Sequence, residues 1–208
     1  ASIRDVDSFR EIRTNLLMDL DAVNPIILVT GVGRRCGASF VARNLALSIA
    51  LQPEWDAVVV DCDPRPRRSG QGDNRDDEVP GVLDLLNAPA IRRDQVFRTS
   101  GVPGISLNGL PGFHLIPAGW PRPAASEQIA SAGMGALLDQ LRDGVSERCL
   151  VLDAPPARGA SETRMLAQYA HRVLLVAGEG RHTPEAITAA GQVFAPEKLA
   201  GVVYNRLP

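Results

Sequence analysis

"VTGVGRRCGASFVARNLA", residues 29–46, decides how the rest of the chain is read. It begins at the end of an apolar run, "PIILVT" at residues 25–30, crosses a loop carrying Gly31, Gly33 and Gly37, and enters a segment rich in alanine and leucine. A short apolar run of this kind is what a strand buried on both faces requires, and a helix is expected over residues 38–51. Strand, glycine loop and helix together form the layout of a phosphate-binding loop. There, backbone N–H groups and the helix N-terminus surround the phosphates, a lysine reaches the β- and γ-phosphates, and a Ser or Thr hydroxyl meets Mg²⁺. Ser39 can take the last role, but Ala38 stands where the lysine belongs. On these residues alone two readings stay open: a nucleotide site that has lost its cation, or an ordinary strand-to-helix turn.

The next strand bears on that choice. "VVVDCD", residues 58–63, ends on Asp61 and Asp63, and "LVLDAPP", residues 150–156, delivers Asp153 at the end of another apolar run. Ligands of open α/β sheets bind outside the carboxyl ends of the strands. Two carboxylates there can hold Mg²⁺ and accept a proton from an attacking hydroxyl. The plainer alternative is that Asp61 and Asp63 cap a helix or pair with Arg65 and Arg67.

Outward from these motifs, Phe9, Ile12, Leu16, Leu17 and Leu20 recur at helical spacing and predict an amphipathic leading helix over residues 5–20. Residues 65–78 are polar and Gly-rich, as in a surface loop. Residues 82–87 read as a short helix, and 102–117 as a hairpin and a strand. Ile129, Leu137, Leu138 and Leu141 line one side of a helix over 125–143. Helices follow at 162–169 and 184–194, with strands at 149–153, 172–177 and 201–204. Strands alternating with helices predict a single α/β domain over 1–208, a mainly parallel sheet covered on both faces.

A chain of 208 residues can bury a substantial core as one domain. No apolar run approaches the ~18 residues of a membrane span. A formal net charge of −2 makes no general case for nucleic acid or a membrane surface as partner. Cys36, Cys62 and Cys149 lack metal-ligand spacing and fit buried thiols of a reducing cytoplasm. Of the 22 basic residues only Lys198 is lysine, so an absent lysine signals lost charge only where no arginine replaces it.

In order along the chain, "SFREIRTNL" (8–16), "VVVDCDPR" (58–65), "GVLDLLNAPA" (81–90), "GFHLIPAGWPRPAASEQIAS" (112–131), "LVLDAPPARGASETRMLAQYAHRVLLVAGEG" (150–180) and "LAGVVYNRLP" (199–208) resemble the bacterial tyrosine kinase (BY-kinase) domains of exopolysaccharide synthesis and export. These belong to the deviant-Walker P-loop class that includes partitioning ATPases. The resemblance covers nearly the whole chain and implies a P-loop NTPase-like fold that binds ATP or ADP with Mg²⁺. It implies that Asp61 contacts the metal, that Asp63 accepts the proton, and that Asp153 orients the metal through water. Gly33, Arg34, Arg35, Gly37, Ala38, Ser39 and Phe40 would form the phosphate cradle, with Ser39 on the metal and with Asn205 and Arg206 beside the adenine. Asp7, Arg10 and Arg13 match the family's acid-x₂-Arg-x₂-Arg assembly pattern on the leading helix, here within residues 1–22, and imply a homo-oligomer; a solvated charged face is the alternative. The family's partner is a membrane-embedded polysaccharide co-polymerase, which implies a cytoplasmic domain held peripherally at the inner membrane through that partner.

Two departures shape the functional expectation. The first is Ala38, with the family's Pro-Gly replaced by Arg34-Arg35; either guanidinium can stand in for the missing cation or point to solvent. The second is that these 208 residues hold only Tyr169 and Tyr204, both expected to be packing residues, where the family phosphorylates a tyrosine-rich C-terminal tail. Three expectations follow: a pseudokinase that regulates by contact with little nucleotide or none, a working ATPase or kinase using Arg34 or Arg35, or a partitioning-type ATPase.

Overall fold

The computed structural model describes residues 3–18, 20–65, 80–87, 111–120, 122–145 and 147–206. Six parallel strands form one sheet in the order β3-β2-β4-β1-β5-β6. They are β1 (Ile26–Gly31), β2 (Asp56–Asp61), β3 (Phe113–Ile116), β4 (Arg148–Asp153), β5 (Arg172–Gly178) and β6 (Leu199–Asn205). The helices are α1 (Ile3–Leu17), α2 (Ala38–Ala50), α3 (Val82–Asn87), α4 (Ala125–Ile129), α5 (Ala132–Arg142), α6 (Ser161–Tyr169) and α7 (Pro184–Gly191).

Successive side chains of a strand leave opposite faces, and here both faces are apolar. Ile26 and Leu28 of β1, Val58 and Val60 of β2, and Leu150 and Leu152 of β4 join the core under α3 to α7. Ile27, Val29, Ala57, Val59, Cys149 and Val151 join a second core with Leu16 of α1 and Val41, Leu45 and Ile49 of α2. Each fully buried Leu, Ile or Val contributes about 1.5–3 kcal/mol relative to exposure, so the four inner strands anchor the fold. All three cysteines are buried, as expected.

Three expectations are corrected. The helix foreseen over 125–143 is two helices. Ser131 is extended (φ −85°, ψ 162°) and its Oγ donates back to the Gln128 carbonyl at 2.6 Å, the local competition with helical bonding that serine offers. The leading helix stops at Leu17 rather than reaching residue 20. Tyr169 does pack against the core, but Tyr204 is 65% exposed, because β6 is the sheet's edge and alternates half-buried with exposed residues. The hairpin foreseen before β3 and most of the polar loop after Arg65 lie outside the described residues.

Distant parts of the chain are tied by polar contacts to backbone. The Lys198 ammonium donates to the carbonyls of Ala167 and Gln168 at the end of α6, both at 2.9 Å. Asp84 of α3 is buried and accepts from the Gly81 N–H at 2.9 Å and from the Arg122 guanidinium, joining α3 to the segment after β3. No described helix is long and apolar enough to cross a membrane.

Candidate nucleotide site

The chain runs from β1 to β2 and β3 on one side, returns to β4 between β2 and β1, and then proceeds to β5 and β6 on the other side. The carboxyl ends of β1, β2 and β4 therefore meet where the direction of winding reverses, the position at which open α/β sheets place their ligands. Backbone bonds fix this junction: Cys62 N–H donates to Asp153 O at 2.9 Å, Ala154 N–H to Val29 O at 2.9 Å, and Ala157 N–H to Gly31 O at 2.8 Å. The Thr30 and Thr163 hydroxyls both donate to the Pro155 carbonyl.

Between β1 and α2 the loop turns through two left-handed residues, Arg35 at φ 58° and Gly37 at φ 84°. Glycine adopts that region freely, whereas an arginine does so at a cost of roughly 1–2 kcal/mol. The loop does require positive φ at Arg35, as its alignment with the family's glycine anticipates. Cys36 is buried, its Sγ 3.3 Å from the Gly33 carbonyl. Burial holds its thiol above the usual range. A cavity of about 260 Å³ opens over the loop, lined by Gly33, Arg34, Arg35, Gly37, Ala38 and Ser39 together with Asp63 and Arg65. The N-terminus of the 13-residue α2 meets it, bringing backbone N–H groups that have no partner within the helix and the positive end of the helix dipole.

Asp61 and Asp153 are register partners at the ends of β2 and β4, 5% and 2% exposed. Cys62 lies beside them; burial first, then the charges of Asp61, Asp153 and Asp63, push its thiol well up. Asp63 is clasped by Arg65 through Nε–Oδ1 at 2.7 Å and Nη2–Oδ2 at 2.8 Å. The pairing raises the pKa of Arg65. So the plainer alternative for Asp63, pairing with Arg65, is realised, with one acceptor site of Oδ2 left over. Arg67 lies outside the described residues.

Other anticipated residues stand away from the cavity. Phe40 is 45% exposed and meets Phe9 of α1 edge-on, ring centroids 6.2 Å apart. Asn205 donates from Nδ2 to the Cys36 carbonyl at 3.0 Å, and Arg206 pairs with Glu179 on the surface. On α1, Asp7 and Arg10 form an exposed pair at 3.1 Å, while Arg13 turns inward to donate to the Ser48 carbonyl of α2 at 2.6 Å. Arg181 and His182, which the sequence does not single out, approach the loop from the turn between β5 and α7. No local signal in "EGRHT" announces that approach.

No family model matches the chain. It is 33% identical over 206 residues to the putative tyrosine-protein kinase EpsB of Ralstonia solanacearum, an alignment covering 97% of this chain and 26% of that protein. It is 25% identical over 206 residues to the putative tyrosine-protein kinase CapB of Staphylococcus aureus, covering 97% of this chain and 84% of that protein. Among solved structures it matches the BceF tyrosine kinase domain with a TM-score of 0.74 at 26% identity, covering 98% of this chain and 78% of that one. The chain matches the bacterial tyrosine-protein kinases over 97% of its length. It spans about a quarter of the length of its EpsB relative.

Of the residues the resemblance assigns to Mg²⁺, Ser39 lines the cavity, whereas Asp61 and Asp153 are buried and are not part of its lining. Ser39 lies in the first turn of α2 beside the cavity, and the buried Asp61 and Asp153 stand side by side where β2 and β4 end. Among the described residues no three His, Cys, Asp or Glu side chains form a metal site of their own. Mg²⁺ would therefore need phosphate and water oxygens as well, its usual condition. Backbone N–H groups can face an anion in the cavity, to which Ala38 brings only a methyl group.

Proposed function

We propose that this BY-kinase-like domain serves exopolysaccharide or capsule assembly as a pseudokinase, regulating a membrane-embedded polysaccharide co-polymerase by contact, with weak or absent ATP turnover. The observation that carries this reading is Ala38 at the mouth of α2. Phosphoryl transfer depends almost wholly on positioning and on offsetting charge, and losing one preorganised transition-state contact typically costs ~3 kcal/mol, a hundredfold in rate.

In the bound state, Mg²⁺ would supply charge neutralisation on the phosphates. This chain's part is to present backbone N–H groups of the loop, the Ser39 hydroxyl, and the carboxylates of Asp61 and Asp153 as metal partners. The domain would sit at the inner membrane through its partner, and Asp7 and Arg10 would contribute to self-assembly, while Arg13 ties α1 to α2.

A second reading has a specific observation in its favour. Arg34 and Arg35 both line the cavity, and guanidinium binds phosphate oxygens in a bidentate manner. On that reading the domain remains an active ATPase or tyrosine kinase. Calorimetric titration with Mg·ATP, paired with a phosphate-release assay, separates the two. Micromolar binding with turnover defeats the pseudokinase; weak or undetectable binding without turnover defeats the enzyme.

A further inference from the structure

The turn between β5 and α7 holds the phosphate loop at two points. His182 Nδ1 accepts the Gly178 N–H at 3.1 Å, which fixes the ring and leaves the proton of the neutral imidazole on Nε2. That Nε2 faces Gly33 so closely that a Cβ built on Gly33 would lie 2.8 Å from it. The imidazole therefore fills the space a side chain at position 33 would need. One residue earlier, Arg181 donates from Nη1 to the Arg35 carbonyl at 3.3 Å. Arg35 is the non-glycine residue of the loop in the left-handed region, a conformation that persists only where its surroundings enforce it. β6 adds a third hold through Asn205 on the Cys36 carbonyl.

We propose that His182 and Arg181 are positioning residues: together they clasp the loop at Gly33 and Arg35 and keep its backbone N–H groups arranged to receive an anion. Neither lines the cavity, so they act through the loop and not on the ligand. This rests on the phosphate-loop reading of residues 31–39. It goes beyond that reading by assigning the loop's shape to a turn 146 residues downstream in the chain.

The test reads the loop itself. Hydrogen–deuterium exchange of the peptide covering residues 31–39 is followed in wild type, His182→Ala, Arg181→Ala, and Gly33→Ala made in both the wild-type and His182→Ala backgrounds. Each single variant is expected to speed exchange of that peptide several-fold while the exchange of β2 and β4 stays as in wild type. Gly33→Ala should speed exchange in wild type and add nothing once the imidazole is gone. His182→Asn, whose amide oxygen can still accept from Gly178, should restore part of the protection. Unchanged loop exchange in the folded His182→Ala and Arg181→Ala variants, or an equal effect of Gly33→Ala in both backgrounds, overturns the clasp. If His182→Ala does not fold, Arg181→Ala and His182→Asn decide the matter in the same assay. A parallel titration with Mg·ADP separates the underlying reading: no wild-type binding removes the nucleotide assignment, while the exchange result still decides the clasp.

Discussion

Asp61 and Asp153 lie side by side as the last register partners of β2 and β4, both almost wholly withdrawn from solvent. Two like charges so placed repel unless a cation or a proton intervenes. Asp153→Asn removes one of these two carboxylates while keeping the shape of the side chain. It should abolish any Mg²⁺-dependent rise in melting temperature seen with nucleotide. A destabilised variant would mean that the carboxylate serves the fold rather than a ligand.

Ala38→Lys would place an ammonium where the cavity meets α2. If the rest of the cradle has kept its geometry, Mg·ATP affinity should rise at least tenfold, the equivalent of about 1.4 kcal/mol. Titration calorimetry checks this directly. No gain would place the lesion elsewhere in the loop.

Arg35→Gly distinguishes the role of the guanidinium from that of the backbone. Relief of the left-handed strain should hold stability level or raise it by up to about 1 kcal/mol, allowing for glycine's greater freedom when unfolded. If Arg35 is the substitute cation, nucleotide affinity should fall in the same variant. Unchanged affinity would exclude that substitution at Arg35.

Acid should weaken the fold before its carboxylates titrate. Burial holds the pKa of His114 below 6.5, with Asp56 opposing and Arg148 assisting. Burial also lowers that of His171, with Arg142, Lys198 and Arg172 assisting against its bond to Ile26. Around pH 6.5 the unfolded chain takes up protons that the folded chain refuses, so this contribution to stability is complete above that pH. It falls as the pH drops below it, until the folded imidazoles protonate in turn. Urea midpoints at pH 7.5 and 5.5 should differ accordingly, and His114→Gln with His171→Gln should flatten the difference.

On α1, Asp7 and Arg10 form a pair that faces solvent. Exposed pairs contribute at most about 1 kcal/mol, so Arg10→Glu should leave the fold intact. If this face joins copies of the domain, light scattering should report a shift towards monomer. The same mass before and after would remove the face from any assembly.

Much of the fold was legible because its inner strands are doubly buried. Runs such as "IILV" and "AVVV" suit little besides a strand covered on both faces, and the acids closing them pointed to one end of the sheet. The division at Ser131 was hidden because the apolar stripe of residues 129–141 continues through it at helical spacing. Tyr204 misled because its strand lies at the edge, and strand order is a tertiary property. The loop lining the cavity was visible through its glycines. The clasp from His182 and Arg181 was not, since close approach between segments so far apart leaves no mark on either.

Lys198 spends its ammonium on two carbonyls at the end of α6, and no other lysine exists in the chain. Amine-directed cross-linkers and acylating dyes will therefore find few targets on this domain beyond an amino terminus. The same scarcity gives Ala38→Lys a second use: it would create a nearly solitary reactive amine at the cradle, through which a fluorophore could report its occupancy.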